Sequence, residues 1–249
     1  MNSKFAIRSY LGLFCFVVVI FFNGCKKENM CDCLKRTGKV IKETRNISGF
    51  TQLVVKDNLN VFITQDSVYE VTVEAGDNIV PLITTKVDGN TLVCENKNRC
   101  NWTRSYKKPL NVYIHMPTVA IIESNGTGNI ISTNTLTVPN CFVQTKNSGN
   151  IELTFNTAAV TTAMHGSADV ILHGNAGMHA SDIGGTGYLK AADMYTVYTY
   201  VHTYTLGLCY VYAHDLLICK IDQKGDVYGY GNPKTVNTTS YGTGRLYLQ

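Results

Sequence analysis

Charged side chains are scarce in this chain, at 16% of 249 residues, against ~25% in ordinary soluble domains. The surplus of basic over acidic groups is only +4, too small for a nucleic-acid-binding surface. Runs of Leu, Ala, Glu and Lys are few, and no window shows capped helical periodicity, which excludes a helical protein. The apolar run Leu11 to Phe22 has 12 residues, short of the ~20 that carry a helix across a bilayer. Also missing are a Gly-x-Ser-x-Gly elbow, a Walker loop and a HExxH pair, the signatures of hydrolase, nucleotide and zinc-protease chemistry. The six histidines, His115, His165, His173, His179, His202 and His214, show no metal-ligand spacing, and no cofactor is implied.

What is present begins with an export signal. Lys4 and Arg8 precede the apolar run, which ends at Asn23-Gly24-Cys25. A basic start, a short apolar stretch and a small residue read as a signal peptide over 1–24. The Gly-Cys ending resembles the bacterial lipobox, whose cysteine is acylated, so Cys25 is the expected lipidation site and the membrane the first partner. Phe22 and Asn23 depart from the usual lipobox residues. Removing 1–24 takes Lys4 and Arg8 and no acid, leaving 20 basic against 18 acidic groups, a net +2.

The mature chain then carries Cys31, Cys33, Cys94, Cys100, Cys141, Cys209 and Cys219. Seven is odd, so at least one thiol stays free. Cys94 and Cys100 bracket a polar loop and are the candidate disulfide. Cys31-Asp32-Cys33 is too tight for a zinc pair. Residues 25–44 read as a polar tether, and 45–249 as the folded part. Within it, Leu110 to Met116 alternates with period two, as a half-buried strand does.

From Ile121 a short phrase recurs. It runs Gly126-Thr127-Gly128-Asn129-Ile130, then Asn147-Ser148-Gly149-Asn150-Ile151, then Gly166-Ser167-Ala168-Asp169-Val170, then Gly185-Thr186-Gly187-Tyr188-Leu189. Weaker copies follow at Gly207 and Gly225, and a clear one at Gly242-Thr243-Gly244-Arg245-Leu246. The central residues, 128, 149, 168, 187, 207, 225 and 244, are separated by 21, 19, 19, 20, 18 and 19. Two residues past each marker stand Ile130, Ile151, Val170, Leu189, Cys209, Val227 and Leu246, all apolar. Five before stand Glu123, Gln144, Ala163, Asp182, His202, Lys220 and Thr239, nearly all polar. Aligned columns at about 19 residues leave no room for a helix in each repeat and predict an all-β parallel β-solenoid. The corner glycines are expected to adopt conformations that a Cβ hinders, with Asn or Asp beside them forming Asx turns.

The recurring Gly-Ser/Thr-Gly-Asn/Asp-Ile phrase resembles the head GIN domain family of auto-transporter adhesins, common among Bacteroidetes lipoproteins. Arg45-Asn46-Ile47-Ser48-Gly49-Phe50 is similar to the family's opening and Val61 to Gln65 to its first strand. Tyr230-Gly231-Asn232-Pro233 is similar to its close. The resemblance implies a right-handed β-helix and supplies no catalytic residues.

Acidic residues offer little chemistry. Asp169 and Asp226 share a column three coils apart, ~14 Å at ~4.8 Å per coil, too far for the ~5–9.5 Å of glycosidase carboxylates. Asp182, Asp193, Asp215 and Asp222 fall in other columns. Gly184 to Tyr188 begins like a calcium nonapeptide, but Tyr188 stands where a ligand acid is required. Tyrosines are the suggestive feature. Tyr210, Tyr228 and Tyr247 share one column, and with Tyr198 and Tyr200 they are the candidate binding face for a glycan or protein.

The chain thus reads as an outer-membrane lipoprotein, surface-exposed or facing the periplasm, and as a non-enzymatic binding module. A second copy is a further candidate partner, pairing through the terminal coil. Two other readings stay open: a pectate-lyase-like polysaccharide-degrading enzyme on the same scaffold, and a structural envelope protein.

Overall fold

Asn111 to Met116 alternate half-buried and buried side chains along the strand, the period-two pattern read from the sequence, and the same alternation recurs throughout the chain. The computed structural model describes residues 36–98 and 107–249. The strands are β1 (Val40–Arg45), β2 (Gln52–Asp57), β3 (Asn60–Gln65), β4 (Glu70–Gly76), β5 (Ile83–Asp88), β6 (Thr91–Asn96), β7 (Asn111–Met116), β8 (Ile121–Gly126), β9 (Ile130–Ser132) and β10 (Leu136–Thr145). They continue as β11 (Ile151–Met164), β12 (Val170–Ile183), β13 (Leu189–Ala191), β14 (Met194–Thr203), β15 (Cys209–Tyr212), β16 (Leu216–Ile221), β17 (Val227–Tyr230), β18 (Thr235–Ser240) and β19 (Leu246–Leu248). The one helical turn among the described residues is a short 3-10 segment, Val80–Leu82.

These strands wind into a β-solenoid. One face is the parallel ladder β6, β2, β8 and the ends of β10, β11, β12 and β14, followed by β16 and β18. A second runs through β7, β3, β9, the starts of β11 and β12, then β13, β15, β17 and β19. A shorter third face joins parts of β10, β11, β12 and β14.

Register matches the repeat. On the second face Ile130 pairs with Ile151, then Val170, Leu189, Cys209, Val227 and Leu246. Those steps are the spacings of the glycine markers. The column is fully buried from Ile130 to Val227. Only Leu246, on the last coil, is partly open.

The glycines act through space rather than dihedral freedom. A Cβ on Gly149 would lie 2.1 Å from the Gly128 carbonyl oxygen, and one on Gly187 1.8 Å from that of Ala168. Neither residue has a positive φ. At these two corners the stacked backbones leave no room for a Cβ, although Ala168 carries one in the same column.

The coil 52–65 lies between β6–β7 on one side and β8–β9 on the other, so β6 and β7 add a coil beneath it. One sequence expectation changes. The folded part starts before residue 45. Thr37 is buried, and β1 pairs antiparallel with β4 from Val40↔Gly76 to Arg45↔Val71. Arg45 fixes this end, donating to the Val80 and Ile83 carbonyls at 3.0 and 2.7 Å and to Thr85 Oγ1 at 3.0 Å. Antiparallel β1 and β5 close one end of the stack. At the other, β18 pairs with β16 and β19 with β17, and neither has a second registered partner among the described strands.

Candidate binding faces

The five tyrosines of the predicted site lie on two different faces. Tyr210, Tyr228 and Tyr247 pair across β15, β17 and β19 of the second face. Tyr198 and Tyr200 lie on β14 of the first. The column of three is a true stack, with centroids 5.1 and 5.3 Å apart and planes inclined by 13° and 21°. Rings so arranged cover one another's faces, so Tyr228 is covered on both sides, while Tyr210 and Tyr247 are each stacked on one side. Crowding and the nearby Asp226 carboxylate push the Tyr228 hydroxyl above its usual pKa.

Cys25 and Cys100 lie outside the described residues. Cys94 is a free thiol, fully buried on β6, and so are Cys141, Cys209 and Cys219. Burial pushes each of these thiols up to about 12. Thiols held neutral in this way are core packing and not nucleophiles or ligands.

The first face holds a cluster that the separate acidic columns did not disclose. His202 is bracketed by two carboxylates, with Nδ1 2.8 Å from Asp182 Oδ1 and Nε2 2.9 Å from Asp222 Oδ2. Tyr204 donates its hydroxyl to Asp182 Oδ2 at 3.1 Å, and Lys220 lies 3.0 Å from Asp222. The His202 hydrogen bond, then that of Lys220, holds Asp222 below the usual carboxylate range. Burial, and then the bond to Asp182, raise Tyr204. The geometry follows from register. Asp182, His202 and Lys220 face one another directly across β12, β14 and β16, and Asp222 stands just past β16. Their juxtaposition was legible in the polar column, but Asp222 was not in that column.

Beside the cluster is a shallow, apolar hollow of about 280 Å³, lined by Thr161, Ala180, Tyr200, Ile218 and the carbon atoms of Asp182, His202 and Lys220. At the opposite corner Tyr195 packs on Tyr212 and His214. There Lys234 and His214 hold Asp215, at 2.6 and 2.8 Å, and lower its pKa.

Fold and surface together define a parallel β-solenoid whose outer faces display side chains from successive coils. The chain belongs to the family described as "Putative auto-transporter adhesin, head GIN domain", whose model matches residues 49–233. Three solved structures share the fold. A putative adhesin from Bacteroides fragilis is 22% identical, with a TM-score of 0.80, covering 86% of this chain and 100% of that one. A putative lipid binding protein from Parabacteroides distasonis is 17% identical with a TM-score of 0.68, covering 86% and 100%. A putative adhesin from Parabacteroides merdae is 17% identical with a TM-score of 0.64, covering 86% and 98%. No curated protein matches the chain. Membership in an adhesin family is consistent with a binding module at the cell envelope.

Proposed function

We propose that the chain is exported, acylated at Cys25 and tethered to the outer membrane, where its solenoid is a non-enzymatic adhesin-type module that contacts glycan. The distribution of exposed aromatic side chains carries this reading. Among the described residues the exposed ones are Tyr188, Tyr195, Tyr198, Tyr241 and Tyr247, all on the later coils. Those coils lie toward the end of the stack away from the β1 and β5 cap and farthest in sequence from the acylated cysteine. Amphipathic rings on a rigid sheet, with carboxylates close by, suit hydroxyl-rich ligands that are apolar on one side and polar on the other. The adhesin names of two structural neighbours point the same way.

The test is a glycan array probed with the exported chain, with protease shaving of intact cells in parallel. Retention of saccharides, and loss of the domain from whole cells while a periplasmic control survives, support the reading. Release of reducing ends or unsaturated products from retained polysaccharides would instead make it a degrading enzyme. Silence on the array, or protection until the envelope is opened, overturns the surface glycan adhesin.

A further inference from the structure

The geometry points to the hollow beside Tyr200 as a saccharide subsite that takes one ring of a neutral, hydroxyl-rich glycan. The inference rests on the glycan-binding reading above and locates it. The hollow arises from a change in side-chain size between neighbouring coils. Across the ladder the outward residue is Thr161 on β11, Ala180 on β12, Tyr200 on β14 and Ile218 on β16. Thr161 and Ala180 are short and form a floor, and the Tyr200 ring rises beside it as a wall. With alanine as its neighbour, the Tyr200 ring has a face that no ring of that coil covers. This is the reverse of the second face, where Tyr228 is stacked on both sides. An uncovered aromatic face is what the C–H side of a sugar ring packs against, and the volume lies just under the ~300–1,000 Å³ of ordinary ligand pockets.

The hollow itself is apolar, and the polar half comes from its rim, where the exposed Asp182 carboxylate stands. Each of its oxygens already holds one partner, His202 Nδ1 at 2.8 Å and the Tyr204 hydroxyl at 3.1 Å. A carboxylate offers about four acceptor directions, so two remain for a pair of sugar hydroxyls. The side chain is 46% exposed, leaving those directions open to a ligand. Tyr204 holds Asp182 by its donated hydrogen bond and His202 lies against the other oxygen, so Asp182 is positioned before the ligand arrives, which reduces the ordering cost of binding. Lys220 is occupied with Asp222 at 3.0 Å, which leaves the carboxylate at the rim to repel an acidic sugar and sets the preference for a neutral one.

The experiment is an array of neutral and acidic oligosaccharides, followed by calorimetry on the best neutral hit, with the exported chain and four variants. Tyr200→Ala and Asp182→Asn are expected to weaken that hit about 10- to 100-fold, the loss of a hydrogen bond to a charged group or its equivalent. Ala180→Leu, which fills the hollow and removes no contact, is expected to weaken it as much. Lys42→Ala, at an exposed position on β1 of the capped end, is expected to leave it unchanged. Circular dichroism confirms that each variant is folded, and Ala180→Leu decides the matter should the others unfold. Neutral-glycan binding that survives all three hollow variants overturns the subsite and leaves the adhesin reading standing. A preference for acidic glycans overturns the assigned class. No glycan binding by the unaltered chain overturns the reading itself.

Discussion

The side-chain oxygen of Asn150 accepts the backbone N–H of Asp169, one coil away, at 2.9 Å. The relation repeats along the corner. Asn60 accepts from Asn129, Asn129 from Asn150, Asp169 from Tyr188 and Asp226 from Arg245, at 2.8 to 3.2 Å. The recurring Asn or Asp therefore serves the next coil as well as shaping its own turn. Tyr188 carries no such acceptor. Asn150→Ala is expected to cost about 1 kcal/mol, one net hydrogen bond, or ~2–4 °C in Tm for a domain of this size. Tyr188→Asn, which extends the ladder by one rung, is expected to raise Tm. Thermal denaturation followed by circular dichroism checks both, and an unchanged Tm for Asn150→Ala would show the ladder to be energetically idle.

Glycines in the chain fall into two kinds that the same substitution separates. Gly187→Ala sets a Cβ against the Ala168 carbonyl, part of the stacked backbone itself, and is expected to cost about 3 kcal/mol through overpacking. Gly49→Ala meets no atom within 4 Å but has φ +81°, and is expected to cost about 1–2 kcal/mol from the left-handed backbone alone. Equal losses in urea titration would refute the distinction.

Parallel register is what made the fold readable in advance. Each coil must place Ile130, Ile151 and Val170 in one buried column, so the spacing of the glycine phrases is the spacing of the structure. The coil 52–65 stood outside the recurring phrase because its corner reads Leu59-Asn60-Val61, without the glycine that marks Gly128-Asn129-Ile130. Its strand showed instead in the likeness of Val61 to Gln65 to the family's first strand. The polar column already aligned Asp182, His202 and Lys220. Asp222 joins them only through side-chain reach, which no column shows. Tyr198 and Tyr200 were grouped with Tyr210 by proximity in sequence, yet a corner separates them onto another face.

His179 makes stability depend on pH. It is fully buried, 3.1 Å from Thr162 Oγ1, and burial lowers its pKa to about 4 from 6.5. Above about pH 6.5 both folded and unfolded chains hold it neutral. Between 6.5 and 4 only the unfolded chain binds the proton, so stability falls as pH drops and levels off below about 4. At ~1.4 kcal/mol per pH unit the loss reaches about 3 kcal/mol. His179→Gln, which keeps a partner for Thr162, is expected to flatten that part of the stability profile relative to the unaltered chain. Parallel profiles for the two proteins would show that other groups set it.

The tyrosine stack is expected to act on stability. Tyr228 lies between two rings, and Tyr228→Thr removes both contacts, each ~0.5–1.5 kcal/mol beyond area burial. A loss of about 2 kcal/mol is expected, against roughly half for Tyr247→Thr, which breaks one contact. Equal losses from the two substitutions would contradict the stacked geometry as an energetic unit.

A second copy of the chain is expected to associate through the terminal coil. β18 and β19 hydrogen-bond to β16 and β17 on one side, and their other edges meet no described strand. Leu248, 56% exposed, stands at this edge. Unpaired edges template further strands, and two copies meeting by their terminal coils are expected to form a closed twofold pair instead of a growing filament, because the opposite end is capped. Light scattering over micromolar to hundred-micromolar concentrations is expected to show a monomer–dimer equilibrium. Leu248→Lys, which sets like charges against each other across the twofold axis, is expected to shift it to monomer. A constant monomer mass for the unaltered chain across that range would show that the edge is tolerated unpaired, with its short strands as sufficient protection.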